Sequence, residues 1–227
     1  VCPSPAIEDA HGSACPRVAP TAAHPHNPTM DQTLLHEAVA AALKVGADAA
    51  EAVFAERQSL SVNVRSGDLE EVEREESRDL GIRVFVGRRQ AVVSGSDVSA
   101  EGRRKLIERV VAMARLAPED PYAGFAPRDR LAQGPFADFD LFDAAEPSPE
   151  TLEAQAREAE VAARGVAGVT NSDGGSAAWS ASQWRLATSE GFYGEHRASG
   201  FSLSASAVAD GGSGMERGGE GRTTRHG

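Results

Sequence analysis

Apolar and polar residues alternate in three stretches of the chain, and this pattern constrains the fold more than any other feature. A period of two puts every second side chain on one face of a β-strand, so each stretch predicts a strand with one buried and one wet face. After the second stretch, residues 87–90 are typical of a hairpin turn, and Trp179 and Ala181 indicate a further strand. The alternating apolar positions are Leu60, Val62, Val64, Ile82, Val84, Val86, Phe201, Leu203, Ala205 and Ala207.

Three other stretches have helical spacing. The predicted helices span residues 30–46, residues 99–116 and a third stretch that begins at Ser148, with proline next in the favoured first-turn position. Thr29 and Gln32 are spaced as a capping box for the first helix. The apolar stripes predicted to be buried are Leu35, Val39, Ala42 and Leu43, then Leu106, Ile107, Val110, Met113 and Ala114, then Leu152, Ala156, Ala159 and Ala163.

A helix followed by antiparallel strands thus occurs twice, which predicts an α+β fold with helices packed on mainly antiparallel sheets, in two successive helix-plus-strands units. Residues 30–117 form the first unit, residues 118–147 a Pro-rich connector laid over a surface, and residues 148–209 the second unit. Residues 210–227 are Gly-rich and are expected to be a flexible tail. Residues 1–29 are Pro-rich without periodicity, so we expect a disordered or non-native N-terminal segment.

Charge and cysteine usage narrow the class of protein. The 227 residues include 34 acidic and 23 basic side chains, and the net charge of −11 argues against direct nucleic-acid binding. Both cysteines, Cys2 and Cys15, lie before residue 30, so a reducing compartment fits the rest of the chain. No apolar run approaches the ~20 residues that a membrane-spanning helix needs. These features predict a cytoplasmic protein that does not bind membranes.

One short motif raises the question of zinc-peptidase chemistry. His36 and Glu37 begin the signature His-Glu-x-x-His, in which two histidines one helical turn apart bind the metal. Ala40 and Ala41 stand where the second histidine of this or a longer spacing would be. We therefore interpret the stretch as an amphipathic helix with His36, Glu37 and Lys44 in water.

The remaining candidates also favour structural interpretations. The acidic run 68–78 could suggest a cation site but is typical of a solvated strand, and the basic residues 103–105 are typical of a solvated helix end. His24 and His26 lie in flexible chain, where a metal clip with the two cysteines would have no fixed geometry. Ser172 and Ser189 read as turn residues. We predict no catalytic, cofactor-binding or metal-binding residue in this chain.

Several segments in order give the chain a family resemblance. The most specific are LGIRVFVG, APEDPYAG and NSDGGSAAWS, and the likeness extends from Met30 to about Arg217. Each is weak alone, but together they resemble the N-terminal half of the TldD/PmbA family, and more closely its PmbA (TldE) branch. Nucleotide-binding motifs of the GxGxxG and GxxxxGK[ST] types do not occur.

The resemblance implies a role in a heterodimeric, cytoplasmic zinc metallopeptidase that acts on small or unfolded peptides. In that family the TldD-like partner supplies zinc through His-Glu-x-x-x-His, and TldE-like chains lack this motif. The family sequence continues into a C-terminal half where this chain ends in GGEGRTTRHG, so we expect a fragment.

Two functions remain open. In the first, the chain is a peptidase-complex subunit whose strand edges, such as residues 59–65, hold extended peptide. In the second, it is a non-proteolytic regulatory protein, in keeping with the family's label as a modulator of DNA gyrase, whose acidic surface mimics nucleic acid. Independent catalysis is disfavoured because the sequence offers no zinc ligand set.

Overall fold

The computed structural model describes residues 28–134, 136–212 and 214–227, and within them three α-helices pack on one antiparallel sheet of six strands. No helix of these residues is long and apolar enough to cross a membrane. Cys2, Cys15, His24 and His26, with the predicted N-terminal segment up to residue 27, lie outside the described residues. The elements are α1 (Pro28–Val45), β1 (Ala49–Arg65), β2 (Asp68–Val86), β3 (Arg89–Gly95), α2 (Ala100–Leu116), α3 (Pro149–Arg164), β4 (Val169–Thr188), β5 (Tyr193–Asp210) and β6 (Met215–Thr224), with a short 3-10 turn at Arg128–Arg130.

The strand order is β3-β2-β1-β4-β5-β6, and every neighbouring pair is antiparallel. The α+β prediction is therefore confirmed. The two predicted helix-plus-strands units share this sheet, because β1 of the first unit pairs with β4 of the second from Glu51 opposite Thr188 to Val64 opposite Gly175.

The helices cover one face of the sheet in two separate places. Around α1 and α2, one core includes Leu35, Phe54 and Val110, and around α3 a second core includes Leu60 and Trp179. Even-numbered residues of β1 contribute to both cores, as the alternation predicted. This strand links the two cores without an intervening linker.

Local sequence signals place the helix starts. The hydroxyl of Ser99 accepts a hydrogen bond from the amide of Gly102 at 3.0 Å, and the hydroxyl of Ser148 accepts one from the amide of Thr151 at 3.2 Å. Both satisfy amides that a helix N-terminus leaves unpaired. The three helix predictions are confirmed, while the side chain of Thr29 lies outside the described part of the chain.

Three predicted core positions are wrong. Leu43, Met113 and Leu203 are 38%, 45% and 38% exposed, respectively. Leu43 and Met113 lie at the margins of their stripes, and Val111 is buried in α2 instead. Leu203 lies beside an apolar groove of about 680 Å³ between α3, β5 and β6, because α3 covers only part of β5.

Two segments predicted as irregular are strands. Residues 215–224, expected to be part of a flexible tail, form β6 along β5. Main-chain hydrogen bonds need no side chains, so a Gly-rich segment can complete the edge that β5 offers. Ser172, expected in a turn, lies within β4 at an irregularity of its pairing with β5. Ser189 does follow β4 in a turn, and its amide donates to the carbonyl oxygen of Ala50 at 2.8 Å.

The connector between α2 and α3 contacts the sheet at two places. Phe125 packs edge-on against Phe85 with 5.0 Å between the ring centroids. Further along, the amide of Ser199 donates to the carbonyl oxygen of Leu141 at 2.9 Å, and Phe142 stacks on Arg197. The connector therefore packs against β2 through Phe125 and against β5 through Leu141 and Phe142.

Candidate functional site

The face of the sheet opposite the three helices, here called the open face, carries a broad groove. Directly paired residues of antiparallel strands share a face, so the odd-numbered residues of the first part of β1 lie beside their partners on β2 and β4. The groove has a volume of about 870 Å³. The residues that give it its chemistry are Glu51, Arg57, Asp79, Arg83, Ser182 and Trp184.

Charge and aromatic surface occur together in this groove. Nε of Arg83 lies 2.8 Å from Oε1 of Glu51, so β1 and β2 are joined by an ion pair at one end. Trp184 on β4 is 52% exposed, and Arg57 and Asp79 are exposed as well. An indole beside charged groups and serine hydroxyls can contact both the side chains and the main chain of an extended peptide.

Among the described residues, the groove contains no set of side chains that could bind a metal ion. Within the described residues, no three His, Cys, Asp or Glu side chains form a group that could hold a metal ion. The His36–Glu37 pair lies on the exposed face of α1, where Glu37 faces Arg103 at 3.7 Å and the ring of His36 lies 6.1 Å from that of Tyr193. In the described part of the chain, no third ligand joins His36 and Glu37 to form a zinc site.

A buried arginine lies on the helix side, between the two cores. Arg185 of β4 is fully buried, and its Nη1 lies 3.0 Å from Oε2 of Glu56 on β1. The other carboxylate oxygen of Glu56 lies 3.1 Å from Nε of Arg78 on β2. The cluster thus ties β2, β1 and β4 together beneath the groove.

Glu160 forms a second buried polar centre, on α3. Its carboxylate accepts hydrogen bonds from the amides of Ser66 at 2.6 Å and Gly67 at 2.8 Å, in the turn between β1 and β2. The hydroxyl of Ser172 donates to the same group. Burial is the largest single influence on the pKa of Glu160 and acts to raise it. The three hydrogen bonds and the nearby charge of Arg164 act in the opposite direction and together outweigh burial, so the pKa of Glu160 lies below its ordinary value.

Sequence reasoning missed both buried centres, although each left a signal. Glu160 continues the stripe of Leu152 and Ala156 at spacings of four residues, which makes it a charged residue in a core position. Arg185 likewise occupies the buried face of β4, two residues before Ala187. A charge in the apolar register of an element indicates a satisfied buried group.

The acidic run and the basic triplet are on the surface, as predicted. Residues 68–76 of β2 are all exposed. On α2, the guanidinium of Arg104 bonds Glu101 and Glu108, and Lys105 lies 3.4 Å from Glu101.

Comparison with protein families gives two matches in succession. Residues 50–114 match the PmbA/TldA metallopeptidase domain 1, and residues 142–227 match the PmbA/TldA metallopeptidase central domain. The first match covers most of β1 to α2, and the second covers α3 to β6.

Individual relatives agree with these matches. The chain is 35% identical over 148 residues to metalloprotease PmbA of Escherichia coli O157:H7, covering 63% of this chain and 32% of that protein. It is 33% identical over 127 residues to a metalloprotease PmbA homolog of Haemophilus influenzae, covering 56% and 28%. The chain thus spans about a third of the length of these relatives.

Solved structures share the fold. A proposed modulator of DNA gyrase from Bacteroides thetaiotaomicron superposes with a TM-score of 0.80 at 21% identity, over 87% of this chain and 45% of that chain. TldE from Thermococcus kodakarensis superposes with a TM-score of 0.70 at 16% identity, over 84% and 42%.

Proposed function

Because this chain belongs to the PmbA/TldA metallopeptidase family, we propose that it acts as a PmbA/TldE-like subunit of a heterodimeric zinc peptidase that processes small or unfolded peptides. A TldD-like partner would supply the zinc and its ligands, and this chain would supply part of the wall around the peptide. We place the complex in the cytoplasm.

The observation that carries the proposal is the open face. Its groove exposes Trp184 beside charged and hydroxyl groups, yet the described residues offer no ligand set for zinc. A surface of this kind suits the binding of peptide and leaves the chemistry to the partner. No catalytic step is assigned to a residue of this chain.

The strand edge at residues 59–65, which the sequence suggested for peptide binding, is already paired on both sides through residue 64. Residues 59–64 pair with β2 on one side and with β4 on the other, so β1 has no free edge there. The sequence could not reveal this, because the partners on β4 lie more than 110 positions further along the chain. Side-chain contacts in the groove replace that edge in the proposal.

The assembly is tested by purifying this chain with a TldD-type partner and measuring zinc content and peptide cleavage. We expect one zinc per complex, and cleavage only when both chains are present. Failure of the two chains to associate, or equal cleavage by the partner alone, would contradict the subunit role.

A matched pair of variants tests the groove in the assembled peptidase. Trp184→Ala removes its exposed aromatic surface, and we expect KM to rise about tenfold with kcat little changed, as for loss of a buried aromatic contact of 1–1.5 kcal/mol. Tyr122→Ala removes an aromatic group that is 91% exposed in the connector, and it should leave KM unchanged. Equal behaviour of the two variants would remove the groove from the peptide path.

A non-proteolytic regulatory role is the second candidate. The net charge of −11 and the exposed acids of β2 favour binding to a basic protein surface, and two solved relatives are named as proposed modulators of DNA gyrase. Direct, salt-sensitive binding of this chain to gyrase would favour it, whereas no binding at low ionic strength would reject it.

A further inference from the structure

The first part of β2 has an unpaired outer edge. Strand β3 pairs only with residues 80–86 of β2, and within the described residues no strand or main-chain hydrogen bond occupies the outer side of residues 68–79. At about 3.3 Å per residue this edge is about 40 Å long. It presents main-chain donors and acceptors that an added strand can satisfy.

Charges along this edge are sorted by face. Glu71, Glu73 and Glu75 lie opposite Asn63, Ser61 and Ser59 of β1 and therefore share the open face. All three glutamates are exposed, and they repeat every second residue. The edge thus presents a row of carboxylates on one side, spaced by about 7 Å.

The basic residues of the same segment lie on the other face and have partners. Arg74 is opposite Leu60 on the helix side, and its Nη1 lies 2.9 Å from Oε1 of Glu146 in the connector. Arg78 is likewise on the helix side, beside Glu56. Within the described residues, no ion pair joins Glu71, Glu73 or Glu75 to a basic side chain. Nδ2 of Asn63 donates to Oε2 of Glu71 at 3.2 Å, and Arg57 lies on the same face opposite Ser77.

Exposed apolar side chains accompany the arginines. Leu69 and Val72 are each 46% exposed and lie opposite Val64 and Val62, at the rim of the second core. A strand added to this edge would therefore meet carboxylates on one face. On the other face it would meet Leu69 and Val72 first and then the ion pair of Arg74 with Glu76.

We propose that the outer edge of β2 binds an extended basic peptide as an added strand, with Lys or Arg at alternate positions beside Glu71, Glu73 and Glu75 and apolar residues between them beside Val72. A second copy of the edge would place acids against acids, and repulsion disfavours that pairing. The proposal is independent of the zinc-peptidase assignment, because it concerns binding by this chain alone.

Four synthetic peptides test strand addition to the full chain by fluorescence anisotropy. An acetylated nonamer with four lysines alternating with valine and threonine is expected to bind at least about fivefold more tightly than a nonamer of the same composition with its lysines in one block. Alternate main-chain amides of a strand point to the same edge. N-methylation of all the lysines therefore blocks one edge of the alternating peptide, and N-methylation of all the valines and threonines blocks the other edge. Exactly one of the two methylated peptides should lose binding; loss in neither, or equal affinity of the alternating and block peptides, would overturn the proposal.

Variants of the chain test the charge row. The triple change Glu71→Gln, Glu73→Gln and Glu75→Gln should weaken binding of the alternating peptide about tenfold, at roughly 0.5 kcal/mol per exposed pair. The control carries Glu158→Gln, Glu216→Gln and Glu220→Gln, which remove the same charge at exposed sites on α3 and β6, and it should change affinity less than about twofold. Equal losses in the two triple variants would show attraction by net charge alone and would overturn the site.

Discussion

At the scale of single residues, the fold depends on a few charged groups placed in apolar registers. Glu160 joins α3 to the β1–β2 turn and to β4, since its three hydrogen-bond donors come from Ser66, Gly67 and Ser172. Charge-assisted bonds of this kind are worth more than neutral ones, and a buried donor that loses its acceptor costs the full desolvation penalty. The side chain is 1% exposed, so water cannot replace it.

Replacing Glu160 with glutamine is expected to lower the free energy of unfolding by about 2–3 kcal/mol at pH 7. The amide nitrogen of glutamine is a donor, so it cannot accept a hydrogen bond from a main-chain amide as the carboxylate oxygen does. Urea denaturation of the purified chain measures this difference. Glu158→Gln changes an exposed residue on the same helix and should cost less than about 0.5 kcal/mol. Comparable losses in the two variants would mean that the buried carboxylate has no special role.

The difference in stability between the wild-type chain and Glu160→Gln should depend on pH. The pKa of Glu160 is lowered in the folded state, so its ionised form stabilises the fold above the pKa of the unfolded chain, about 4.3. That contribution is lost as pH falls through the lowered pKa of the folded state. The stability difference between the wild-type chain and Glu160→Gln should therefore shrink below about pH 4.3; a difference that grew on acidification would contradict the assignment.

At the scale of elements, local signals predicted the helices and the faces of strands, but not which strands are neighbours. Ser99 and Ser148 begin their helices through their own hydroxyls, so a few adjacent residues contain the information. The pairing of Val64 with Gly175 depends on residues far apart in sequence, and no local pattern specifies it. The alternation in β1 correctly predicted which face of this strand is buried. The prediction that residues 59–65 form a free strand edge was wrong, because the pairing of β1 with β4 cannot be inferred from a local pattern. The groove residues of the open face likewise come together only through strand pairing.

The contact between α3 and β4 depends on a glycine. A Cβ atom added to Gly175 would overlap the carbonyl oxygen of Ala156 in α3, and main chain cannot move aside cheaply. We expect Gly175→Ala to destabilise the chain by about 2–3 kcal/mol through overpacking, measured as the shift in the urea midpoint at constant m-value.

Gly200→Ala is the matched control for this prediction. A Cβ at Gly200 on β5 would lie 3.5 Å from Oγ of Ser180, which is an ordinary contact. This variant should stay within about 0.5 kcal/mol of the wild-type chain. A tolerated alanine at position 175 would show that α3 can move away from β4 without loss.

At the scale of the whole molecule, one strand and one cluster connect the two cores. Strand β1 supplies Phe54 to the first core and Leu60 to the second. Between these residues Glu56 binds Arg185 and Arg78, so neighbouring strands are joined where the apolar packing is interrupted. Since both cores lie on one hydrogen-bonded sheet, loss of either removes support from the other, and the described residues should unfold as one cooperative unit.

Trp179 allows this cooperativity to be measured across the molecule. It is 4% exposed in the second core, and with Trp184→Phe in the background it is the remaining tryptophan of the chain. Leu35→Ala creates a cavity in the first core, where the side chain is fully buried, and should cost about 3 kcal/mol. We expect the urea midpoint of Trp179 fluorescence to fall by the same amount as that of far-UV circular dichroism, because a two-state transition is reported equally by every probe. If circular dichroism shifted while Trp179 fluorescence kept its midpoint, the two cores would be unfolding separately, and the continuity of β1 would not couple them.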